Sequence, residues 1–281
     1  MSLFGNKSSG LDAVCSTAPA HQPGSVSGVS LVSFSRKRYT HGAHQFHPDI
    51  PDGNILIHAG DLTQSGSLKE LQATVDWLQS QPHSTKIVVA GNHDVYLDQD
   101  YHHDSSDKRT VQWGDIIYLQ NSETTITCSN GRRLRIYGSP YSPRNGNWAF
   151  QYPRSKDAWD DIPEGIDILI THCPPRAHLD LLNFGCVHLL RHLWRVRPRL
   201  HVFGHVHEGA GREWLQFNAL QKAFEQSVIS KGGLWNLMAV IKEFVYLLFY
   251  PITESKCLLV NAAIIGGLRD DKRRQPIKVI I

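Results

Sequence analysis

Short apolar runs that stop on an unusual set of polar residues recur along the chain: NILIHAGD (Asn54 to Asp61), KIVVAGNHD (Lys86 to Asp94), DILITHCPP (Asp167 to Pro175) and RLHVFGHVH (Arg199 to His207). Each predicts a buried strand running into a loop. Between the first two, SLKELQATVDWLQSQ carries Leu68, Leu71, Val75 and Leu78 at helical spacing, with Ser67 placed to cap the start and Glu70 three residues on. RLRIYG (Arg133 to Gly138), IIYL and TTIT predict shorter strands, and GCVHLLRHLWRV sets Val187, Leu190, Leu193 and Trp194 on one helical face before Pro198. This alternation predicts an α/β fold around a core sheet.

From Glu208 to Lys256 the pattern turns helical and includes GLWNLMAVIKEFVYLLFYP. Lys242 and Glu243 interrupt that run, so the expectation is an amphipathic helix on the body, or one touching a membrane surface through residues 233–250, and not a spanning helix. KCLLVNAAIIGG and PIKVII then restore the strand pattern. The organisation expected is a disordered lead-in over 1–28 and one domain over 29–281 with an insertion at 212–255.

Composition narrows the function classes. At 281 residues and 41% hydrophobic content the chain can build a full core. Its 29 basic and 26 acidic residues are spread out, so no dense basic patch marks a nucleic-acid surface. Five cysteines, odd in number and without a CxxC pair, fit reduced thiols, and the N-terminus lacks the apolar run of a signal peptide. Both point to a cytoplasmic location.

Chemistry gathers where the strands end. Asp61, Asn92, His93, Asp94, His172, His205 and His207 are all delivered at the C-terminal ends of predicted strands, the edge at which open α/β sheets place their sites. Aspartate, amide oxygen and imidazole suit divalent Mn, Fe or Zn, and glycine precedes Asp61, Asn92 and His205, where the backbone must turn sharply. Each motif also has a plainer reading: a lone GD is a turn, and His172 before Pro174 and Pro175 fits a strand stop. GNHD and GHVH, both after apolar strands, are much harder to reach by coincidence. Cys173 has no paired base and reads as a passive thiol, and the Arg191 to Arg199 stretch reads as a solvated helix face.

AGD, AGNHD, THCPP and FGHVH, in that order, resemble the motifs of the calcineurin-like metallophosphoesterases. The likeness is closest to the branch of metallophosphoesterase-domain-containing proteins, through IPDGNILIHAGDLT, IYGSPYSPRNGNWAF and RPRLHVFGHVHEGAG. The resemblance implies a β-sandwich of two mixed sheets flanked by helices, with two divalent metals at the strand ends. It implies that Asp61 bridges the metals, that Asn92, His172 and His205 complete one site and that His207 binds the other. A metal-bridging hydroxide would then attack a small phosphorylated substrate, a phosphodiester or phosphomonoester. His93 would stabilise the transition state or protonate the leaving oxygen, with Asp94 holding its imidazole. Arg144, Asn145 and Trp148 lie in a loop that either shapes the substrate pocket or anchors on a buried Trp.

One family motif is missing. The resemblance expects DxH after the first strand, yet VSLVSF is followed by SRKRYTHGAHQFHPD. Either His41, His44, His47 and Asp49 substitute for it, or the chain holds one metal and works poorly, or the sequence upstream of Ile50 is in error. Loop histidines several residues from a strand end are poorly preorganised, which favours the latter two. A binding or scaffold protein on the same fold is therefore the alternative to an enzyme.

Overall fold

The computed structural model describes residues 30–34, 48–101, 110–250, 255–266 and 272–281. The strands are Ser30–Phe34 (β1), Ile55–Ala59 (β2), Thr85–Val89 (β3), Ile116–Leu119 (β4), Ser122–Thr127 (β5), Arg133–Ser139 (β6), Ser142–Pro143 (β7), Gln151–Tyr152 (β8), Ile168–Thr171 (β9), Leu200–Phe203 (β10), Gly211–Gln216 (β11), Lys256–Asn261 (β12), Ile265–Gly266 (β13), Lys272–Arg273 (β14) and Ile277–Ile280 (β15). The helices are Leu68–Gln79 (α1), Val187–Val196 (α2), Ala219–Ile229 (α3) and Leu234–Phe249 (α4).

Two mixed sheets, one ordered β15-β1-β2-β3-β4 and the other β11-β12-β10-β9-β6-β5, carry these elements. The inner pairs β1–β2, β2–β3, β6–β9 and β9–β10 are parallel, and antiparallel strands close the edges at β15, β11 and β5. The α/β class is as the apolar runs predict, and the mixed sheets with flanking helices are as the resemblance implies. Ile55, Ile57 and Ala59 of the first sheet share one core cluster with Ile168, Ile170, Leu200 and Val202 of the second. On its other face the first sheet sets Leu56 and Val88 against Leu71, Val75 and Leu78 of α1, while the second sets Leu169 and Phe203 against Leu189 and Leu193 of α2. Burial on both faces is why these strands read as continuous apolar runs.

Local sequence explains the helices, with two departures. Ser67 caps α1 as expected by accepting the Glu70 N–H at 3.4 Å. The Glu70 carboxylate does not return to Ser67 but accepts the N–H groups of Gln64 (2.7 Å) and Ser65 (2.8 Å), which fixes the loop leaving β2. In α2 the buried face is Leu189, Leu190, His192, Leu193 and Val196, while Val187 is exposed. The face is rotated from the expected one because His192, paired with Asp157 at 3.1 Å, is buried among the apolar positions.

The segment expected to be helical from Glu208 onward begins differently. Gly211–Gln216 is an edge strand antiparallel to β12, with Arg212, Trp214 and Gln216 outward and Leu215 inward. That two-residue alternation is a strand pattern, and the helical part is the α3–α4 pair alone.

A buried charge cluster pins this pair to the body. His178 is 3% exposed and bonds Glu213 of β11 through Nδ1 and Glu225 of α3 through Nε2 at 2.9 Å, while the Trp194 indole N–H of α2 donates to the other Glu225 oxygen at 2.6 Å. Both ring nitrogens face carboxylates, so the imidazolium is the form that satisfies them. Burial opposes that charge, but the two glutamates outweigh it and raise the His178 pKa to about 9. Because the folded value lies above the ordinary 6.5, the stabilisation is complete below pH 6.5 and is lost as pH rises through about 9. Thermal unfolding should therefore fall by several degrees between pH 7 and 10 in the wild type, and His178→Gln should flatten that slope. A variant with the wild-type pH profile would refute the assignment.

Candidate metal centre

Each sheet contributes two residues to one point. Asp61 follows β2 and Asn92 follows β3, two parallel neighbours of the first sheet; His172 follows β9 and His205 follows β10, parallel neighbours of the second. Reaching that point bends the backbone into the left-handed region at Asp61 (φ 59°) and at His205 (φ 64°). Such conformations are uncommon away from glycine and collect at functional sites. Gly60, at φ 95°, gives the turn its room: a Cβ there would stand 2.3 Å from His172 Nδ1. A Cβ on Gly91 would stand 2.3 Å from the Asp61 nitrogen and 2.4 Å from its Oδ1. The glycines thus admit the approach of the ligand candidates to one another.

His172 is the hub. Its Nδ1 lies 3.0 Å from the Ala59 carbonyl, an acceptor only, so that nitrogen carries a proton. Its Nε2 then faces Asn92 Oδ1 at 3.0 Å, His205 Nδ1 at 3.1 Å and Asp61 Oδ1 at 3.3 Å. With a neutral ring this sets the lone pairs of Asn92 Oδ1 and Asp61 Oδ1 against the lone pair of Nε2. Asp61 is 1% exposed, and its second carboxylate oxygen is buried without a hydrogen-bond partner. An orphaned buried carboxylate oxygen beside converging imidazole and amide donors fits a divalent cation, which would satisfy them all. The carbonyl behind His172 is the kind of outer partner that fixes the tautomer of a ligating histidine.

His93 adjoins this point. Its backbone N–H donates to Asp61 Oδ1 at 3.2 Å, and its Nδ1 bonds the Gln64 carbonyl at 3.2 Å. Its Nε2 is buried without a partner, and the Trp148 ring covers the imidazole with centroids 4.5 Å apart. The expectation that Asp94 holds this imidazole is corrected. The Asp94 carboxylate instead accepts the N–H groups of Leu62 (3.0 Å), Thr63 (2.7 Å) and Gly91 (2.7 Å) and the Thr63 hydroxyl (2.8 Å). It buckles the two ligand-bearing loops together. Full burial, with the Asp61 charge nearby, pushes its pKa up to about 7 against those bonds.

His207 stands two residues past His205, half-buried at the head of a short 3-10 turn whose carbonyl Arg274 holds at 3.0 Å. His41, His44 and His47 lie outside the described residues, and Asp49 is exposed. Cys173 is fully buried, and burial holds its thiol well above the ordinary range, which suits a passive role. Arg144 and Trp148 line a cleft of about 580 Å³ with Tyr101, Tyr141 and Lys156. The Gln64 carbonyl has no residue signature, being a backbone acceptor, and the Trp148 ring stacks on His93 while remaining partly exposed.

A second group, Asp157, Asp160 and His192, also brings possible ligand atoms together. Arg195 points Nε (3.2 Å) and Nη2 (3.0 Å) at His192 Nδ1, so that nitrogen accepts and Nε2 carries the proton toward Asp157 and Asp160. A protonated Nε2 is no metal donor, and the group is a hydrogen-bond network tying α2 to the preceding loop.

Comparison with known proteins agrees with this geometry. The calcineurin-like phosphoesterase family model matches residues 37–209. The chain is 41% identical over 189 residues to metallophosphoesterase domain-containing protein 1 of Homo sapiens and of Mus musculus, covering 58% of this chain and 56% of each relative. It is 46% identical over 244 residues to a protein of Emericella nidulans named probable rhamnogalacturonate lyase C, covering 85% of this chain and 23% of that protein. The chain thus spans about half the length of the mammalian relatives and under a quarter of the Emericella one. A family match over most of the described metal-centre residues, together with the two-sheet frame that brings them to one point, shows that the chain belongs to the calcineurin-like phosphoesterase family.

Proposed function

We propose that this chain hydrolyses a phosphate ester of a small molecule at the point defined by Asp61, Asn92, His172 and His205, with its two mixed sheets packed as the sandwich of that family. The observation that carries the reading is the buried, unpartnered Asp61 Oδ2 facing a site where Asn92 Oδ1, His205 Nδ1 and Asp61 Oδ1 all close on His172 Nε2. Divalent cations held there supply Lewis-acid activation of water and of the phosphoryl oxygens.

The chain's own residues do the rest. Ala59 keeps His172 Nδ1 protonated so that Nε2 presents a lone pair. Glu70 fixes the Gln64 loop, and the Gln64 carbonyl holds His93 Nδ1, so the imidazolium form of His93 has its Nε2–H left to donate to a phosphoryl oxygen or to pass that proton to the departing alkoxide, ending as the neutral ring. Trp148 covers that imidazole and limits access of water to it. Arg144 and Lys156, in the adjoining cleft, offer positive charge to an anionic substrate.

A second reading, a binding protein with little turnover, has its own support: Ser35, Arg36, Lys37 and Arg38 stand in the sequence where the family places a metal-binding aspartate and histidine. The lyase in the Emericella name adds no third reading, since the chain corresponds to 23% of that protein.

Purified protein titrated with Mn²⁺ by calorimetry and assayed on an aryl phosphodiester separates the readings. Turnover that falls about 10²-fold or more in His93→Ala, with metal binding kept, is the expected result. Asn92→Ala should weaken the metal isotherm itself by about 10-fold or more. Metal-bound wild type that hydrolyses neither a phosphodiester nor a phosphomonoester would replace the enzyme by the binding protein.

Gly91→Ala tests the cradle without removing a ligand. Its Cβ must displace Asp61 and His172, so Mn²⁺ affinity should drop about 10-fold or more while far-UV circular dichroism stays that of the wild type. Unchanged affinity would show that the convergence of these side chains is not what holds the metal.

A further inference from the structure

α4 has no buried residue, although its sequence is almost wholly apolar. Trp235 is 87% exposed and Phe249 73%. Eleven large apolar side chains between Leu234 and Tyr250 are at least 45% exposed, a surface on the order of 1,000 Å² where a monomer's largest patch is a few hundred. The partly covered positions are Asn236, Val240, Glu243 and Leu247, one stripe at helical spacing, with α3 the element packed beside α4. At about 100° per residue the exposed apolar positions cover an arc of about 240°, in which Lys242 is the charged member.

The width of that arc decides what fits it. A packed protein partner, including a second copy of this chain, covers a stripe of about 100° on a helix and would leave more than half of the arc in water. Lipid chains surround a helix on every side the protein does not cover. The ends of the helix suit such a medium: Trp235 stands in the first turn and Tyr246 and Tyr250 at the end, aromatic groups with polar atoms that favour the headgroup level. Lys231 precedes the helix with an exposed ammonium for anionic headgroups, and Lys242, 79% exposed within the arc, is paired with Glu243 at 3.1 Å and must exchange that partner to reach one. At 16 residues the helix is about 24 Å long, short of the ~30 Å hydrocarbon core, and no helix among the described residues is long and apolar enough to cross a membrane.

We propose that α4 lies in the plane of one leaflet of an anionic lipid membrane and docks the domain there through its exposed apolar arc. α3 connects it to the body through the Glu225 bonds to His178 and Trp194, so docking holds the domain at the lipid surface without burying the sheets.

Flotation of the full chain with vesicles of phosphatidylcholine and phosphatidylserine tests this. The wild type should rise with the vesicles, and the triple variant Leu237→Glu, Ile241→Glu, Val245→Glu should lose at least nine-tenths of that binding with its thermal unfolding unchanged, since all three side chains are exposed. Vesicles carrying brominated acyl chains give a second readout: they should quench tryptophan fluorescence in the wild type and markedly less in Trp235→Phe. A wild type that stays wholly in the lipid-free fraction overturns the proposal. So does a lipid-indifferent protein that sediments as a dimer and becomes monomeric in the triple variant, which would make a second copy the occupant.

Discussion

The bond that His172 Nδ1 donates to the Ala59 carbonyl is the constraint on which the candidate site depends. It joins the last residue of β2 to the first residue past β9, one strand from each sheet, and it decides which ring nitrogen faces inward. Asn92, His205 and Asp61 then have a common target. The glycines at 60 and 91 follow from it, because a Cβ at either would occupy the space of the His172 ring or of Asp61. Without that carbonyl the ring is free to turn over, and a rotated ring presents its proton where the other donors present lone pairs.

Around this hub the structure separates holding from reacting. Asp94 is more buried than His93, and its carboxyl is pushed up to about 7, yet every hydrogen bond its carboxylate accepts comes from a backbone amide or from Thr63. It locks the Asp61 loop to the Asn92 loop. His93 has a single ring anchor, the Gln64 carbonyl, and an inward nitrogen with no partner. Hydrogen bonds to backbone amides mark Asp94 as the structural member of the pair, and the unsatisfied His93 Nε2 marks the one available for chemistry.

How far the sequence could be read follows from the same physics. Parallel strands buried on both faces leave continuous apolar runs, so β2, β3, β9 and β10 and the polar residues that end them were legible. The edge strand β11 was not, because its alternation of Arg212, Trp214 and Gln216 with Leu215 is short and merges into the helical segment after it. The α2 face was misplaced for a related reason: His192 is counted as polar in any periodicity, and only its pairing with Asp157 makes it a core position. The neighbour of His93 in sequence, Asp94, suggested an anchor for its ring. The actual anchor is a backbone carbonyl 29 residues earlier, which no spacing rule reveals.

The first strand sets the charge balance of the site. β1 runs parallel to β2 with Phe34 opposite His58, so the chain leaves β1 beside the turn that carries Asp61. The resemblance expects an aspartate after this strand, which would add a carboxylate, and in the sequence Ser35, Arg36, Lys37 and Arg38 follow it instead. Among the described residues brought together at His172 Nε2, Asp61 is the carboxylate, and Asn92, His172 and His205 are neutral donors when they ligate. Asp94 does not add to that count, since its oxygens are turned to amides. One negative charge balances one divalent cation far better than two, because a second cation a few ångströms away is repelled in a buried site where water screens little.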